Sequence, residues 1–193
     1  MRITGGTARG QGLFVPRLSR VRPTSDRIRG ALFQLLQEAV ATANVLDLYA
    51  GTGALGIEAL SRGAAKVDFV EHDIRLCQAI ERNLEAVGFS DHGRVFRARV
   101  EKALAFLDGP YQLVLLDPPY DLSGVKQILE ALNRPGLLGK GGVVVLEHSQ
   151  RVATLERYGA LRKEQQRRYG DTALSVYSKE EIIDDPGSLR RCL

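Results

Sequence analysis

Apolar residues in this chain follow two rhythms. From residue 45 onward, short continuous apolar runs alternate with segments in which apolar side chains return every three or four positions. That is the pattern of buried parallel strands separated by amphipathic helices. Runs at 45–49, 66–71, 94–97, 112–116 and 143–147 read as strands. Segments 55–62, 74–87, 100–107, 123–132 and 152–158 read as helices, the first two stopped by Gly63 and Gly88. Past residue 160 the rhythm changes: 161–169 and 173–178 flank Gly170-Asp171-Thr172 and predict a hairpin that lends the sheet an antiparallel strand. The expected fold is α/β, an open, doubly wound, mostly parallel seven-stranded sheet. In such sheets ligands bind beyond the carboxyl ends of the strands, near the switch point. The loops to search for chemistry are therefore those after Tyr49, Glu71, Arg97 and Leu116. Ahead of the sheet, glycines and prolines around Leu13-Phe14-Val15 predict a small β-hairpin. Asp26 can cap a helix from residue 27 to about 40, with Ile28, Leu32, Leu35 and Leu36 on one side.

At 193 residues, 44% hydrophobic and 26% charged, the chain suits one globular domain with an appended element, and disorder, collagen and coiled coil are excluded. No apolar run approaches the roughly 20 residues that cross a bilayer, and Met1-Arg2-Ile3-Thr4-Gly5-Gly6 lacks the apolar stretch of a secretion signal. A cytoplasmic protein without a membrane partner is expected. Cys77 and Cys192 are too few for a disulfide framework or a metal cluster, so no metal is expected. The net charge of +4 conceals an asymmetry. Within the first 30 residues Arg2, Arg9, Arg17, Arg20, Arg22, Arg27 and Arg29 face Asp26 alone, which leaves this leader at +6 and the remainder at −2. A localised cationic stretch fits a nucleic-acid surface or a solvated arm, and charge alone does not choose between them.

Asp47-Leu48-Tyr49-Ala50-Gly51-Thr52-Gly53-Ala54-Leu55-Gly56 follows a predicted strand, opens a predicted helix and matches GxGxxG. Its glycines let the backbone turn and approach a ligand, with helix-start amides facing what is bound. Glu71 ends the next strand 20 residues after Gly51, where a carboxylate can accept from ribose hydroxyls. Loop and acid imply an adenosine-bearing cofactor, either NAD or S-adenosylmethionine. Asp47 favours the methyl donor, because a carboxylate four residues before Gly51 can meet the ammonium of a methionine moiety and would repel a pyrophosphate. Asp117-Pro118-Pro119-Tyr120 then comes directly off the fourth strand. Two prolines remove two backbone donors and fix φ, leaving a rigid loop whose groups, the Asp117 carboxylate and the Pro118 carbonyl, only accept. Acceptors without donors suit an exocyclic amine, and Tyr120 offers a face on which an extruded purine can stack.

Together these segments resemble a known family, the bacterial 16S ribosomal RNA guanine-N2 methyltransferases, class I S-adenosylmethionine-dependent enzymes with an N-terminal basic hairpin. The likeness includes Arg2-Ile3-Thr4-Gly5-Gly6, Arg9-Gly10, Val15-Pro16, Arg22-Pro23-Thr24-Ser25-Asp26-Arg27-Ile28-Arg29, Ala31-Leu32-Phe33, the glycine loop through Glu58-Ala59-Leu60-Ser61-Arg62-Gly63, and Asp117 to Tyr120. It implies an RNA-contacting arm over 1–25 and a methyltransferase domain over 26–193. It also implies that Asp47 and the loop Ala50, Gly51, Thr52 and Gly53 hold the methionine end, Glu71 the ribose, and Asp117, Pro118, Pro119 and Tyr120 the target amine, with Asp117 touching the cofactor as well. Arg17, Arg20, Arg22, Thr24 and Arg27 would contact RNA, either free 16S RNA or the 30S particle, and the protein is expected to act as a monomer. One departure stands out: where relatives commonly place a small polar or acidic residue near the adenine N6, this chain reads Arg97-Ala98-Arg99-Val100. Arg99 cannot accept a hydrogen bond, which leaves that contact to the backbone or to Glu101.

His72 is either a surface residue or a neighbour of the adenine; the three histidines are scattered, and no serine or cysteine beside them makes a nucleophile arrangement. The series Arg151, Arg157, Arg162, Arg167 and Arg168 reads as a solvated face. An adenine-N6 methyltransferase acting on DNA or RNA shares the loop chemistry, and an NAD-dependent dehydrogenase explains only the glycine loop and Glu71.

Overall fold

The computed structural model describes residues 1–17, 25–118 and 124–180. Arg20, Arg22, Thr24, Pro119, Tyr120 and Cys192 lie outside the described residues. The chain forms α1 (Asp26–Leu36), β1 (Asn44–Leu48), α2 (Ala54–Ser61), β2 (Lys66–Glu71), α3 (Ile74–Ala86), β3 (Gly93–Arg97), α4 (Val100–Phe106), β4 (Tyr111–Leu116), α5 (Val125–Ala131), β5 (Leu138–Ser149), β6 (Arg157–Tyr158), β7 (Leu161–Tyr169) and β8 (Thr172–Lys179). Among the described residues they make one eight-stranded sheet in the order β3-β2-β1-β4-β5-β8-β7-β6. β3 through β5 run parallel; β8 enters antiparallel against β5 and pairs on its other side with β7.

Two apolar layers flank the sheet. On one face Leu32, Phe33 and Leu36 of α1, the α2 side chains, and Ile80 and Leu84 of α3 pack with Val45, Phe69, Leu113, Leu115 and Val145. On the other, Val100, Ala103 and Leu104 of α4 and Val125, Ile128 and Leu129 of α5 cover Leu46, Leu48, Val70, Leu116 and Leu146. Strands buried on both faces carry no polar alternation, which is why they read as apolar runs. No helix among the described residues is long and apolar enough to cross a membrane.

Three expectations are corrected. The sheet has eight strands rather than seven, because 152–158 is not a helix: Arg157–Tyr158 forms β6 on the outer edge, and the Tyr158 ring packs edge-on to Tyr177 at 5.5 Å. The spacing of Val152, Leu155 and Tyr158 mimics a helical turn over a segment too short for the period to discriminate. The helix after Asp26 stops at Leu36 and continues as a 3-10 turn over Gln37–Val40, with Gln37 at φ 40. The leader hairpin takes the form of a single antiparallel bridge, Arg2 to Gly12, supported by Ile3 N–H to the Gln11 carbonyl at 3.0 Å and Leu13 N–H to the Met1 carbonyl at 3.0 Å. Ile3, Ala8 and Leu13 bury themselves in the α1–α3 layer.

Candidate cofactor and base site

β1 ends at Leu48, Tyr49 takes φ 59, and Gly51 and Gly53 follow at φ 58 and 78. A left-handed tyrosine is uncommon, and backbone held in such a region collects at ligand-binding turns. A Cβ on Gly51 would approach nothing closer than the Tyr49 carbonyl at 4.0 Å, so the outer side of this turn is open. Gly56 serves a different need. A Cβ there would lie 2.3 Å from the Phe69 ring, so only glycine lets α2 sit directly on β2.

Asp47 is 1% exposed. Its Oδ2 accepts the Gly56 N–H at 2.8 Å, tying β1 to the first turn of α2, while its Oδ1 is buried without a hydrogen-bond partner. Burial pushes the carboxyl up to about 8; the Gly56 amide offsets part of this, and the charges of Asp117 and Glu71 add to it. A buried, unsatisfied acceptor among other acids is a receptor for a cation. The residues present therefore fit the amino-acid end of S-adenosylmethionine. An ammonium group at Oδ1 would draw the carboxyl's pKa back down, so below pH about 8 binding should release protons, and affinity should climb with pH until that value is passed. Titration calorimetry at pH 7 in buffers of differing ionisation enthalpy reads this as a non-zero slope; a flat series removes Asp47 as the ammonium's partner. Without ligand the linkage has the opposite consequence. The folded state holds this proton more tightly than an unfolded carboxyl of pKa 3.8, so stability falls as pH rises from near 4 toward 8.

Glu71, 6% exposed, ends β2 beside the glycine loop. Its Oε2 accepts the Gly51 N–H at 3.0 Å and its Oε1 the amides of His72 at 2.7 Å and Asp73 at 2.9 Å. Three of a carboxylate's roughly four lone-pair sites are thus occupied. One ribose hydroxyl can be accepted directly, and a second requires the Gly51 amide to let go. The His72 side chain is 69% exposed with Nδ1 3.0 Å from Glu71 Oε1, at the rim of the site. Ala50 and Thr52 are buried within the loop, and the Thr52 carbonyl accepts from Asn83 at 3.0 Å. Arg99 is exposed at the N-cap of α4, whereas Glu101 lies 3.4 Å from the Tyr49 hydroxyl, next to the cofactor loop.

Asp117 stands one residue past β4, half-buried, its N–H directed at the Leu48 carbonyl at 3.5 Å; Pro118 is buried. The fold thus brings Asp47, Gly51, Gly53, Glu71, Asp117 and Pro118 to neighbouring points of the carboxyl edge, while Arg17 and Arg27 are exposed on the leader and at the start of α1. Arg29 does not belong to the cationic surface. It is fully buried, bonded to Glu58, Asp26 and the Arg2 carbonyl.

Two supporting residues have no role assigned in the sequence reading. Asn83, 1% exposed on α3, donates to the Phe14 and Thr52 carbonyls, each at 3.0 Å, and accepts the Phe14 N–H at 2.7 Å, so it links the leader to the glycine loop. Glu58, in a helix whose eight residues are all buried, anchors Thr4, Arg29 and Arg62. Both were marked in the sequence as polar residues at inward positions of an apolar stripe. Strand pairing brings the Ser175 Oγ within 2.8 Å of the His148 Nε2. Both side chains are buried, and burial lowers the His148 pKa, so this contact packs β5 against β8. Arg157 and Arg162 of the basic series pair with Glu180 and are solvated.

A protein-family model described as Conserved hypothetical protein 95 matches residues 1–178. Ribosomal RNA small subunit methyltransferase D of Escherichia coli K12 is 35% identical over 147 residues, 76% of this chain and 74% of that one. YlbH of Bacillus subtilis is 32% identical over 182 residues, 93% of this chain and 99% of that one. The solved structure of yhhF from Escherichia coli superposes with a TM-score of 0.85 at 30% identity, covering 93% of this chain and 98% of that one. With a Rossmann-like class I sheet and these relatives, the chain belongs to the family of the bacterial small-subunit ribosomal RNA methyltransferase D enzymes.

Proposed function

We propose that the protein transfers the methyl group of S-adenosylmethionine to the exocyclic N2 amine of a guanine in 16S ribosomal RNA, free or in the 30S particle, acting in the cytoplasm as a monomer. The observation that carries this reading is one sheet edge holding both a buried carboxylate with an unfilled acceptor, Asp47 Oδ1, and an acceptor-only corner at Asp117-Pro118. The cofactor supplies an electrophilic methyl on sulfur. Asp47 meets its ammonium, Glu71 a ribose hydroxyl, and the backbone of Ala50 to Gly53 its carboxyl end. Asp117 and the Pro118 carbonyl accept the two protons of the target amine, which aims its lone pair at the methyl and supports the positive charge that builds on nitrogen. As the N–C bond forms, the S–CH3 electron pair passes to sulfur and one amine proton passes to Asp117 and on to water. Tyr120 stacks the extruded base, and Pro119 keeps the corner rigid.

The arm holds the RNA. Replacing Arg17, Arg20 and Arg22 by alanine should weaken RNA binding and reduce the slope of log K against log salt by about 2–3, at roughly one released counterion per lost phosphate contact; an unchanged slope moves the RNA surface elsewhere. The reading as a whole is tested by incubating labelled methyl donor with small-subunit particles, free 16S RNA and DNA, then digesting to nucleosides. N2-methylguanosine from ribosomal RNA is expected. N6-methyladenosine, or label in DNA alone, overturns it in favour of the adenine-directed chemistry.

A further inference from the structure

Four acidic residues stand at the carboxyl ends of four adjacent strands, Asp47 two residues deeper than the other three, and the reaction set out above uses three of them. Asp47 on β1 pairs with Phe69 on β2 and Leu115 on β4, and Leu115 pairs in turn with Val145 on β5. Phe69, Leu115 and Val145 lie in the same apolar layer, on one face of the sheet. Side chains alternate along a strand, so two residues further on Glu71, Asp117 and Glu147 return to that face at the edge. For Glu147 the alternation is secured by β8: β5 continues to Ser149, and Glu147 pairs with Leu174, which belongs to the same layer. In strand order the row is Glu71, Asp47, Asp117, Glu147, with neighbouring strands about 4.8 Å apart.

Position along this row separates the ligands. Glu71 and Asp47 lie on the cofactor side, where the buried, unpartnered Asp47 Oδ1 marks the place of a cationic group. Asp117 takes the amine at the centre. The purine ring bearing that amine must then lie on the side the cofactor leaves open, over β5, where Glu147 stands half-buried. We infer that Glu147 accepts the N1–H of the target base and thereby selects guanine over purines whose N1 is unprotonated. This assignment rests on the guanine-N2 reading above. Guanine presents N1–H and N2–H2 side by side as donors; adenine and 2-aminopurine present a lone pair at N1. A carboxylate attracts the first edge and repels the second, so selection includes a repulsive element as well as a bond.

The test uses the full-length enzyme. The methylated guanine is mapped first, and small-subunit RNA is then assembled with 2-aminopurine at that position, which keeps the C2 amine and removes the N1 proton. Wild-type enzyme should lose about 10- to 100-fold in kcat/KM on the substituted RNA, the range of one hydrogen bond to a charged group. Glu147→Gln, whose amide can donate to an unprotonated N1, should lose activity on guanine and close most of that gap. Fluorescence of the 2-aminopurine reports separately whether the base enters the pocket. Wild-type turnover of the two RNAs within about twofold, or a Glu147→Gln ratio equal to wild type, overturns the role of Glu147 while leaving the guanine reading intact. A wild-type digest without N2-methylguanosine overturns both.

Discussion

Asp117→Ala should slow methyl transfer by on the order of 10²–10³-fold, the cost of deleting one preorganised group that meets developing charge, and should leave the cofactor's dissociation constant within about threefold. The separation follows from placement. The cofactor's ammonium is assigned to Asp47 on β1 and its ribose to Glu71 on β2, while Asp117 follows β4, across β1 from Glu71. Its N–H to the Leu48 carbonyl is a backbone bond that alanine retains, so the loop's exit from the sheet survives the substitution. Pro118 and Pro119 carry no polar side-chain atom, so neither can replace the missing carboxylate as acceptor for the amine's proton. Asp117→Asn should fall in between, because its amide keeps one acceptor oxygen but brings two protons to a site that must receive them. Single-turnover transfer of labelled methyl and calorimetric cofactor binding separate the two quantities. A variant turning over within tenfold of wild type rules out this carboxylate as the amine's anchor; lost cofactor binding with unchanged chemistry reassigns it to the cofactor side.

The parts of this site that were legible in the sequence are those built by contiguous residues. The glycine loop, Asp47 four residues before it and the Asp-Pro-Pro-Tyr turn each state their backbone requirement locally, and strands buried on both faces print as largely apolar runs at 45–48 and 113–116. What was not legible depends on partners distant in sequence. Glu58 meets Arg29 across 29 positions, Asn83 meets Phe14 across 69, and His148 meets Ser175 across 27. The front of β5 was hidden for another reason. Leu138-Gly139-Lys140-Gly141-Gly142 has the composition of a turn, yet Tyr111 pairs with Leu138 and the register shifts before Leu113, so a glycine-rich irregularity is carried inside the ladder. Arg29 shows how charge counted along a chain misleads: one of the seven leader arginines is a buried structural cation rather than part of an RNA surface.

That arginine and its counter-ion underlie the largest stability effect expected of a single substitution in this protein. Glu58→Ala should cost about 3–5 kcal/mol, the usual penalty for breaking a buried ion pair from one side, and lower the melting temperature by roughly 6–20 °C for a domain of this length. Glu58 is 0% exposed, and its two oxygens accept from the Thr4 N–H at 2.8 Å, the Thr4 hydroxyl at 2.7 Å, Arg62 Nε at 2.9 Å and Arg29 Nε at 3.3 Å. Alanine removes the buried counter-charge of a fully buried guanidinium, and among the described residues Arg29 keeps its ion pair with Asp26, 56% exposed and screened by water. The leader loses its tether in the same step, because Thr4 fixes it to α2. Urea unfolding separates the stranded charge from the lost packing: Glu58→Leu combined with Arg29→Met should recover most of the deficit, since a buried pair exchanged for apolar groups of similar volume is close to neutral. If the single variant loses less than about 1 kcal/mol, the carboxylate is not what holds the leader on the domain. If the double variant stays as unstable as the single one, the loss lies in packing and in the Thr4 bonds. On the proposed function the leader's arginines reach the RNA from a platform that Glu58 ties to α2, so where that tether holds, RNA binding by Glu58→Ala should weaken at temperatures well below its melting point.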